Sequence, residues 1–582
     1  MSEQRSVFVR GMRIIWSYVR THPVPFAVAV SGAAVYAGAT VASTVVLGKV
    51  TDGVITPAFR GRVSTGTILW GAAAVIAVGL VRAAGIVARR YFAGMTGARM
   101  QRTLREQVVE RYRALPLAYH RARPTGELLA HTQADVEAAT EVLHPLPFST
   151  AVVLLVVFAV VSLLVTDLFL AAIGLAVLPF LAELNRVYSR KVEAPLGRAQ
   201  ERIGELASVV HESVDGALVV KTLGREPTEV ARLAAKADSV RTERVAAGRL
   251  RAAFEPLFET LPNLAVVVLL VVGAWRVSTD AITVGDLVRF VSLFLLLAFP
   301  VRVIGFALSD VPRAVVGRER LQEVFDEPVT LPPAVEALPL PGGSLDVSVR
   351  SVSFSYGDYR VLDDVSFDLA REESVAVVGP TGAGKTTLAE LLVRLADPDF
   401  GSVRLGGVDL RHLDPAELRA AAAIVFQESF LFASTVGENI ALGRPMGDEE
   451  VVHAARLAQA DGFIGGLPDG YETVVGERGV TLSGGQRQRV TLARALAGRP
   501  RLVILDDAMS SVDPTVEAAI LAGLRGALGG TTVVVIAHRP ATIALADRVL
   551  FLGRGRILAE GTHEELLARP EYAAIVLAKE PV

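Results

Sequence analysis

Ser374-Val375-Ala376-Val377-Val378, then Gly379-Pro380-Thr381-Gly382-Ala383-Gly384-Lys385-Thr386-Thr387, then Leu388 to Leu395, is the stretch that decides the fold. The apolar run reads as a buried strand, and the last segment as a helix. Between them lies G-x-x-x-x-G-K-[ST] in its required strand–loop–helix context. The glycines let the backbone wrap so that its N–H groups face phosphate oxygens at the positive end of a helix. Lys385 supplies a point charge to the β and γ phosphates, and the Thr386 hydroxyl is a candidate magnesium ligand. Gly379, Pro380, Thr381, Gly382, Ala383, Gly384, Lys385, Thr386 and Thr387 are therefore candidate nucleotide contacts.

Further along, Leu502-Val503-Ile504-Leu505 reads as a second buried strand, and it delivers Asp506-Asp507. The first acid can hold the magnesium ion of a nucleotide site, and the second can polarise an attacking water. From about residue 345 onward, short Val-rich strands alternate with helices, which predicts an α/β domain with a mainly parallel sheet. Before it, Asp326 to Ser344 carries five prolines and a Gly-Gly pair and reads as a linker.

The N-terminal half has another character. Half of the 582 residues are hydrophobic, and the mean hydropathy is +0.44, which points to a membrane-embedded portion. Six segments are apolar for the roughly 20 residues that crossing a bilayer takes: near Val24–Val50, Thr65–Arg89, Leu146–Thr166, Leu168–Val187, Phe254–Val277 and Val284–Leu308. Spans three and four are separated by little more than Asp167, which predicts a tight hairpin. Arg90 to His144 and Ser189 to Arg251 are polar with helical periodicity, and read as membrane helices continuing beyond the bilayer. Arg89 to His131 holds nine Arg and no Lys, so the positive-inside rule puts these stretches and both termini in the cytoplasm. Met1 to His22 mixes charges with Ile14, Ile15, Trp16 and Tyr18 and reads as an interfacial amphipathic helix. The expected organisation is an all-α six-helix transmembrane domain over residues 1–325, a linker over 326–344, and an α/β P-loop nucleotide-binding domain over 345–582.

A net charge of −2 argues against a nucleic-acid binder. With no cysteine, disulfides, thiolate metal sites and Cys nucleophiles are excluded.

Leu482-Ser483-Gly484-Gly485-Gln486, followed by Arg487-Gln488-Arg489, adds a second anion site: Ser483 caps a helix whose N–H groups and paired glycines face outward. With this motif the C-terminal domain resembles the nucleotide-binding domain of ATP-binding-cassette (ABC) transporters. The resemblance implies that Ser483, Gly484, Gly485 and Gln486 close on the ATP of an opposite subunit, and hence a dimer. It further implies that Tyr356 stacks on adenine, Gln427 senses magnesium and the attacking water, and His538 contacts the γ-phosphate. Asp513 matches the dimer-contact loop, and Gly476-Glu477-Arg478-Gly479 a loop found before the signature in exporter-type members.

The membrane half resembles exporter-type members, with six spans fused to one cassette. Leu115-Pro116-Leu117 with Arg123 to Leu128 is similar to the first intracellular coupling segment, and Val219-Val220-Lys221 with Gly224-Arg225-Glu226 to the stretch after the second. The family normally has Glu where Asp507 stands, and Thr where Met509 stands. An Asp reaches about 1.5 Å less far, and a misplacement of about 1 Å costs around a hundredfold in rate. The resemblance thus implies ATP and Mg²⁺ as cofactors and an impaired ATP site on this chain. A second half-transporter chain with Glu would complete a heterodimer; a homodimer in which Asp507 is a slower base is the alternative. The implied function is export of amphipathic compounds, lipids or drugs, across the bacterial cytoplasmic membrane. Import of siderophore or lipid through the same fold, and a mainly regulatory nucleotide-binding role, stay open. Six spans exclude a soluble cassette protein acting on nucleic acid. Ionisable residues near the spans are candidates for the pathway: Arg302 foremost, then Arg289, Arg82, Glu183, Glu255 and Glu259.

Overall fold

The computed structural model describes residues 2–577 apart from 60, 299, 330, 332, 333, 335, 477, 478, 528, 529 and 545. It divides into two compact units: Met1–Arg113 with Thr125–Glu327, and Ala114–Pro124 with Pro328–Val582.

The first unit is helical. Among the described residues, five helical stretches are long and apolar enough to cross a membrane: Pro23–Ala58, Thr65–Ala114, Thr125–Thr166, Leu168–Asp215 and Glu226–Ser278. Each carries one of the first five expected spans. The sixth, Val284–Leu308, falls on the helices Val284–Ala298 and Pro300–Asp326. The helix Thr65–Ala114 has 50 residues and so is about 75 Å long at 1.5 Å per residue. A hydrocarbon core of about 30 Å takes up less than half of that, so the arginine-rich stretch continues the span without a break. Glu226–Ser278, at 53 residues, does the same.

The hairpin after Thr166 turns on Asp167, whose backbone is extended. Its carboxylate accepts from Leu170 N at 2.8 Å, capping the next helix, and from Arg276 Nη2 at 2.5 Å. A buried carboxylate needs such partners, because desolvation otherwise outweighs what it gains. Leu155, Leu163, Leu170, Leu269, Phe290 and Phe294 form the buried core beside it. The N-terminal helix Ser2–Thr21 packs more than its sequence suggests. Tyr18 is buried with Leu104 and Leu321, Ile15 with Val311 and Val315, and Arg10 pairs with Glu319 at 2.5 Å.

Among the described residues the second unit holds ten strands: β1 (Val347–Tyr356), β2 (Tyr359–Leu369), β3 (Ser374–Val378), β4 (Phe400–Leu405), β5 (Val408–Asp409), β6 (Ala422–Val425), β7 (Leu502–Asp506), β8 (Thr532–Ile536), β9 (Arg548–Gly553) and β10 (Arg556–Gly561). They form a four-stranded sheet in the order β2-β1-β4-β5 and a six-stranded sheet in the order β10-β9-β3-β8-β7-β6. The first is antiparallel. The second is parallel except for its edge strand β10.

Both faces of the parallel sheet are covered, which explains why its strands are apolar throughout. Val375 and Val377 enter one core with Leu362, Ile504 and Val534, while Ala376 and Val378 enter the other with Val503 and Leu505. β3, β6, β7 and β8 run in one direction, so the residues that follow them gather at one end of the sheet. Those residues are the phosphate loop, Gln427, Asp506-Asp507 and His538. Ligand sites of open parallel sheets lie at that carboxyl end.

Candidate nucleotide site

The loop after β3 depends on its glycines. Gly384 sits at φ 99°, a left-handed conformation that side chains rarely adopt. A Cβ there would also stand 2.7 Å from Leu362 Cδ2. The helix Lys385–Leu392 starts directly after it. Gly379, Ala383, Gly384, Lys385 and Thr387 are buried, whereas Pro380, Thr381, Gly382 and Thr386 face outward. Lys385 Nζ donates to the carbonyls of Gly379 at 2.8 Å and Pro380 at 2.9 Å. The ammonium is thus held over its own loop, where an incoming phosphate would exchange with those carbonyls.

Asp506 ends β7 and is 5% exposed. Burial pushes its carboxyl above the ordinary range; a hydrogen bond from Thr386 opposes this, the charge of Asp507 adds to it, and Lys385 lowers it again. A hydroxyl and a buried carboxylate side by side are hard oxygen ligands that fit a magnesium ion. No cluster of three or more His, Asp or Glu side chains able to hold a metal occurs among the described residues. A cation here would therefore need phosphate oxygens and water as its remaining ligands.

Asp507 lies at φ 47°, a backbone conformation in which Asp and Asn are enriched among non-glycine residues. Its Oδ2 accepts from Gln427 Nε2 at 3.2 Å. Asp507, Met509, His538 and Arg539 line one small cavity. The structure thus brings Gln427, Asp507 and His538 to one place. Tyr356, at the end of β1, is 43% exposed; its ring packs at right angles to that of Phe354, with centroids 4.9 Å apart.

The Ser483–Gln486 turn is built as a capping box. Ser483 Oγ accepts from Gln486 N at 3.3 Å, and Gln486 Oε1 accepts from Ser483 N at 2.8 Å. The helix Gly484–Ala497 follows. Asp513 accepts from Thr515 N at 2.9 Å, at the start of the helix Pro514–Ala527. Within Gly476–Gly479, Glu477 and Arg478 lie outside the described residues.

Residues 26–301 match the family model described as ABC transporter transmembrane region, and residues 362–510 match the one described as ABC transporter. The chain is 33% identical over 570 residues to an ATP-dependent lipid A-core flippase of Chromohalobacter salexigens, covering 97% of both. It belongs to the ABC transporters. Its architecture is that of an exporter-type half-transporter: a helical transmembrane region followed by one nucleotide-binding domain with mixed sheets. A solved bacterial Atm1-family ABC exporter with ATP bound matches with a TM-score of 0.74 at 29% identity, over 95% of this chain and 98% of that one. A multidrug efflux ATP-binding/permease protein of Mycobacterium tuberculosis is 36% identical over 508 residues, 86% of this chain. The ABC chain spans 42% of that relative's length.

Several residues of this ABC chain that its motifs do not mark hold the site together. Gln488 Nε2 donates to Ser510 Oγ at 2.9 Å, and its Oε1 accepts from Ser511 N at 2.8 Å. Arg539 donates to Glu517 at 2.5 Å and to the Ser510 carbonyl at 2.7 Å. Glu390, 3% exposed, accepts from Tyr356 Oη at 3.2 Å. An acid inside the apolar helix Lys385–Leu392 was the one sequence signal for it.

The pathway candidates are mostly paired. Arg289 donates to Ser162 at 2.6 Å, Arg82 lies over the Tyr36 ring at 5.8 Å, Glu183 is near Arg186 at 3.7 Å, and Glu255 near Arg251 at 3.5 Å. Glu259 is exposed. The side chain of Arg302 lies outside the described residues.

Proposed function

We propose that this ABC chain is one subunit of an ATP-hydrolysing exporter of amphipathic compounds, lipids or drugs, in the bacterial cytoplasmic membrane, and that its own ATP site is the slow one of a heterodimer. The observation that carries this reading is the contrast between Asp507, one methylene shorter than the family's Glu, and the complete capping box at Ser483–Gln486. The printed names of relatives, multidrug efflux and lipid A-core flipping, support the substrate class.

In this reading Tyr356 stacks on the base, while the N–H groups of Gly379 to Thr387 and the Lys385 ammonium hold the phosphates. Thr386, Asp506 and Gln427 would hold magnesium, which would supply positive charge to the phosphates. Asp507 takes the proton of the attacking water, and Gln427, donating to Asp507, orients that carboxylate. His538 steadies the γ-phosphate. Ser483, Gly484, Gly485 and Gln486 complete the competent site of a partner that carries Glu after its magnesium aspartate.

A second reading has one favourable observation. Because Gln427 holds the Asp507 carboxylate in place, a homodimer with a slower base also fits. Purifying the chain alone and with candidate partners, and measuring turnover of each, separates the two. Partner-dependent turnover supports the heterodimer; full-rate turnover of the chain alone, lost in Asp507→Asn, supports the homodimer. Uptake into inverted vesicles reports the direction of transport.

A further inference from the structure

Glu390 is a carboxylate with two donors from opposite sides. Tyr356 Oη reaches its Oε2 at 3.2 Å, and Arg121 Nη1 reaches its Oε1 at 2.5 Å. The carboxylate side chain is 4% exposed and that of Arg121 49%, so the acid is fixed while the arginine arrives from the surface. Arg121 belongs to Ala114–Pro124, the short segment between two membrane helices that groups with the cassette. A cavity of about 480 Å³ is lined by Leu117, Ala118 and Arg121 of that segment together with Tyr356, Glu390 and Ala396. The ion pair and Tyr356 thus border one cavity.

We propose that Glu390 is a positioning residue that ties Tyr356 to the segment Ala114–Pro124. This rests on the reading of Tyr356 as the base-stacking residue. When a base settles on the Tyr356 ring, the phenol must adjust its hold on Glu390. The carboxylate then redistributes between its two donors, and the Arg121 contact tightens or loosens. No bond forms or breaks covalently. Its two donors are the phenol and the guanidinium, so in this proposal Glu390 passes occupancy of the base site to the segment.

The cysteine-free chain makes the test direct. Ala118→Cys in the segment and Ala396→Cys beyond it, both lining the cavity, take spin labels, and the distance between them is measured in the full-length protein with and without Mg-ATP. Affinity for a fluorescent ATP analogue is measured in parallel. In the wild-type background, Mg-ATP should shift the distance. Glu390→Gln keeps an acceptor for Tyr356 but loses the charge that holds Arg121, and charge-assisted bonds are about twice as strong as neutral ones. It should cut the shift about fivefold or more, with affinity within about twofold. Arg121→Gln should behave alike, and the two together no worse than either, because both remove one interaction. The reversed pair, Arg121→Glu with Glu390→Arg, should restore at least about half of the shift. An undiminished shift in Glu390→Gln, or a lost shift explained by lost affinity, overturns the proposal. Binding without any shift in the wild type also overturns it, whereas no nucleotide binding in the wild type instead defeats the reading of the site.

Discussion

The phosphate-loop face and the signature face of the cassette are built to different standards. On the first, Lys385 is held by its own loop carbonyls and Asp506 stands beside Thr386, but the residue proposed to reach the water is an Asp at φ 47°. On the second, the Ser483–Gln486 box closes both ways, and Gln488 fastens its helix to Ser510 and Ser511. Binding and catalysis ask different things of geometry. In the proposed reading binding tolerates a shortened acid because the lysine, threonine and first aspartate carry it, whereas proton abstraction depends on where one oxygen sits. A chain with an altered reacting residue and an intact capping surface is suited to lending its signature to another chain's ATP.

Three substitutions test that contrast. Lys385→Ala removes the point charge of the first face and should weaken ATP about a hundredfold, ~2.7 kcal/mol, by equilibrium binding. An unchanged affinity would break the comparison at its stronger end. Gln488→Ala leaves Ser511 N and Ser510 without their partner, a loss of about 1–3 kcal/mol of local stability. It should lower partner-dependent turnover while ATP affinity of this chain stays within about twofold. Ser483→Ala removes one cap, worth about 1 kcal/mol. It should act only in the two-chain complex, and equal effects with and without the partner would erase the distinction between the faces.

The smallest effect concerns pH. Asp461 packs in the helical region beside the signature helix, accepting from Tyr471 Oη at 2.8 Å and from Arg456 Nε at 3.0 Å. The Tyr471 hydrogen bond, then that of Arg456, holds its carboxyl below the ordinary range. Its stabilising contribution is thus present above the unfolded-state value and lost as pH falls through the lowered one. Asp461→Asn should melt about 1–2 °C below wild type at neutral pH, for an exposed pair worth about 0.5 kcal/mol. The gap should close in acid, and a gap that widens there contradicts the assignment.

Local signals made the cassette legible. The phosphate loop, Asp506 and Ser483 each sit within a few residues of the strand or helix that positions them, so pattern and chemistry were read together. The continuous helices also followed from periodicity, since Arg90 to Ala114 keeps the helical repeat of the span before it. Glu390 escaped because its partner Arg121 lies 269 positions away, and nothing local in the sequence names that pair. Gln488 and Arg539 stood beside recognised motifs, yet their work is long-range too: they bond Ser510 from 22 and 29 positions away. Ile15 and Tyr18 read as an interfacial face because an amphipathic helix near a membrane offers two destinations for its apolar side. Here Leu321 and Val311, about 300 residues on, receive them.

The central claim is that Asp507 limits chemistry and not binding. Its most direct test is the ATP turnover of the purified chain alone, beside Asp507→Glu at saturating Mg-ATP. Slow turnover is expected in the wild type, with a rise of about 10–100-fold in Asp507→Glu and unchanged nucleotide affinity. A wild-type chain that already turns over at full rate, gains nothing from Glu and loses activity in Asp507→Asn would contradict it.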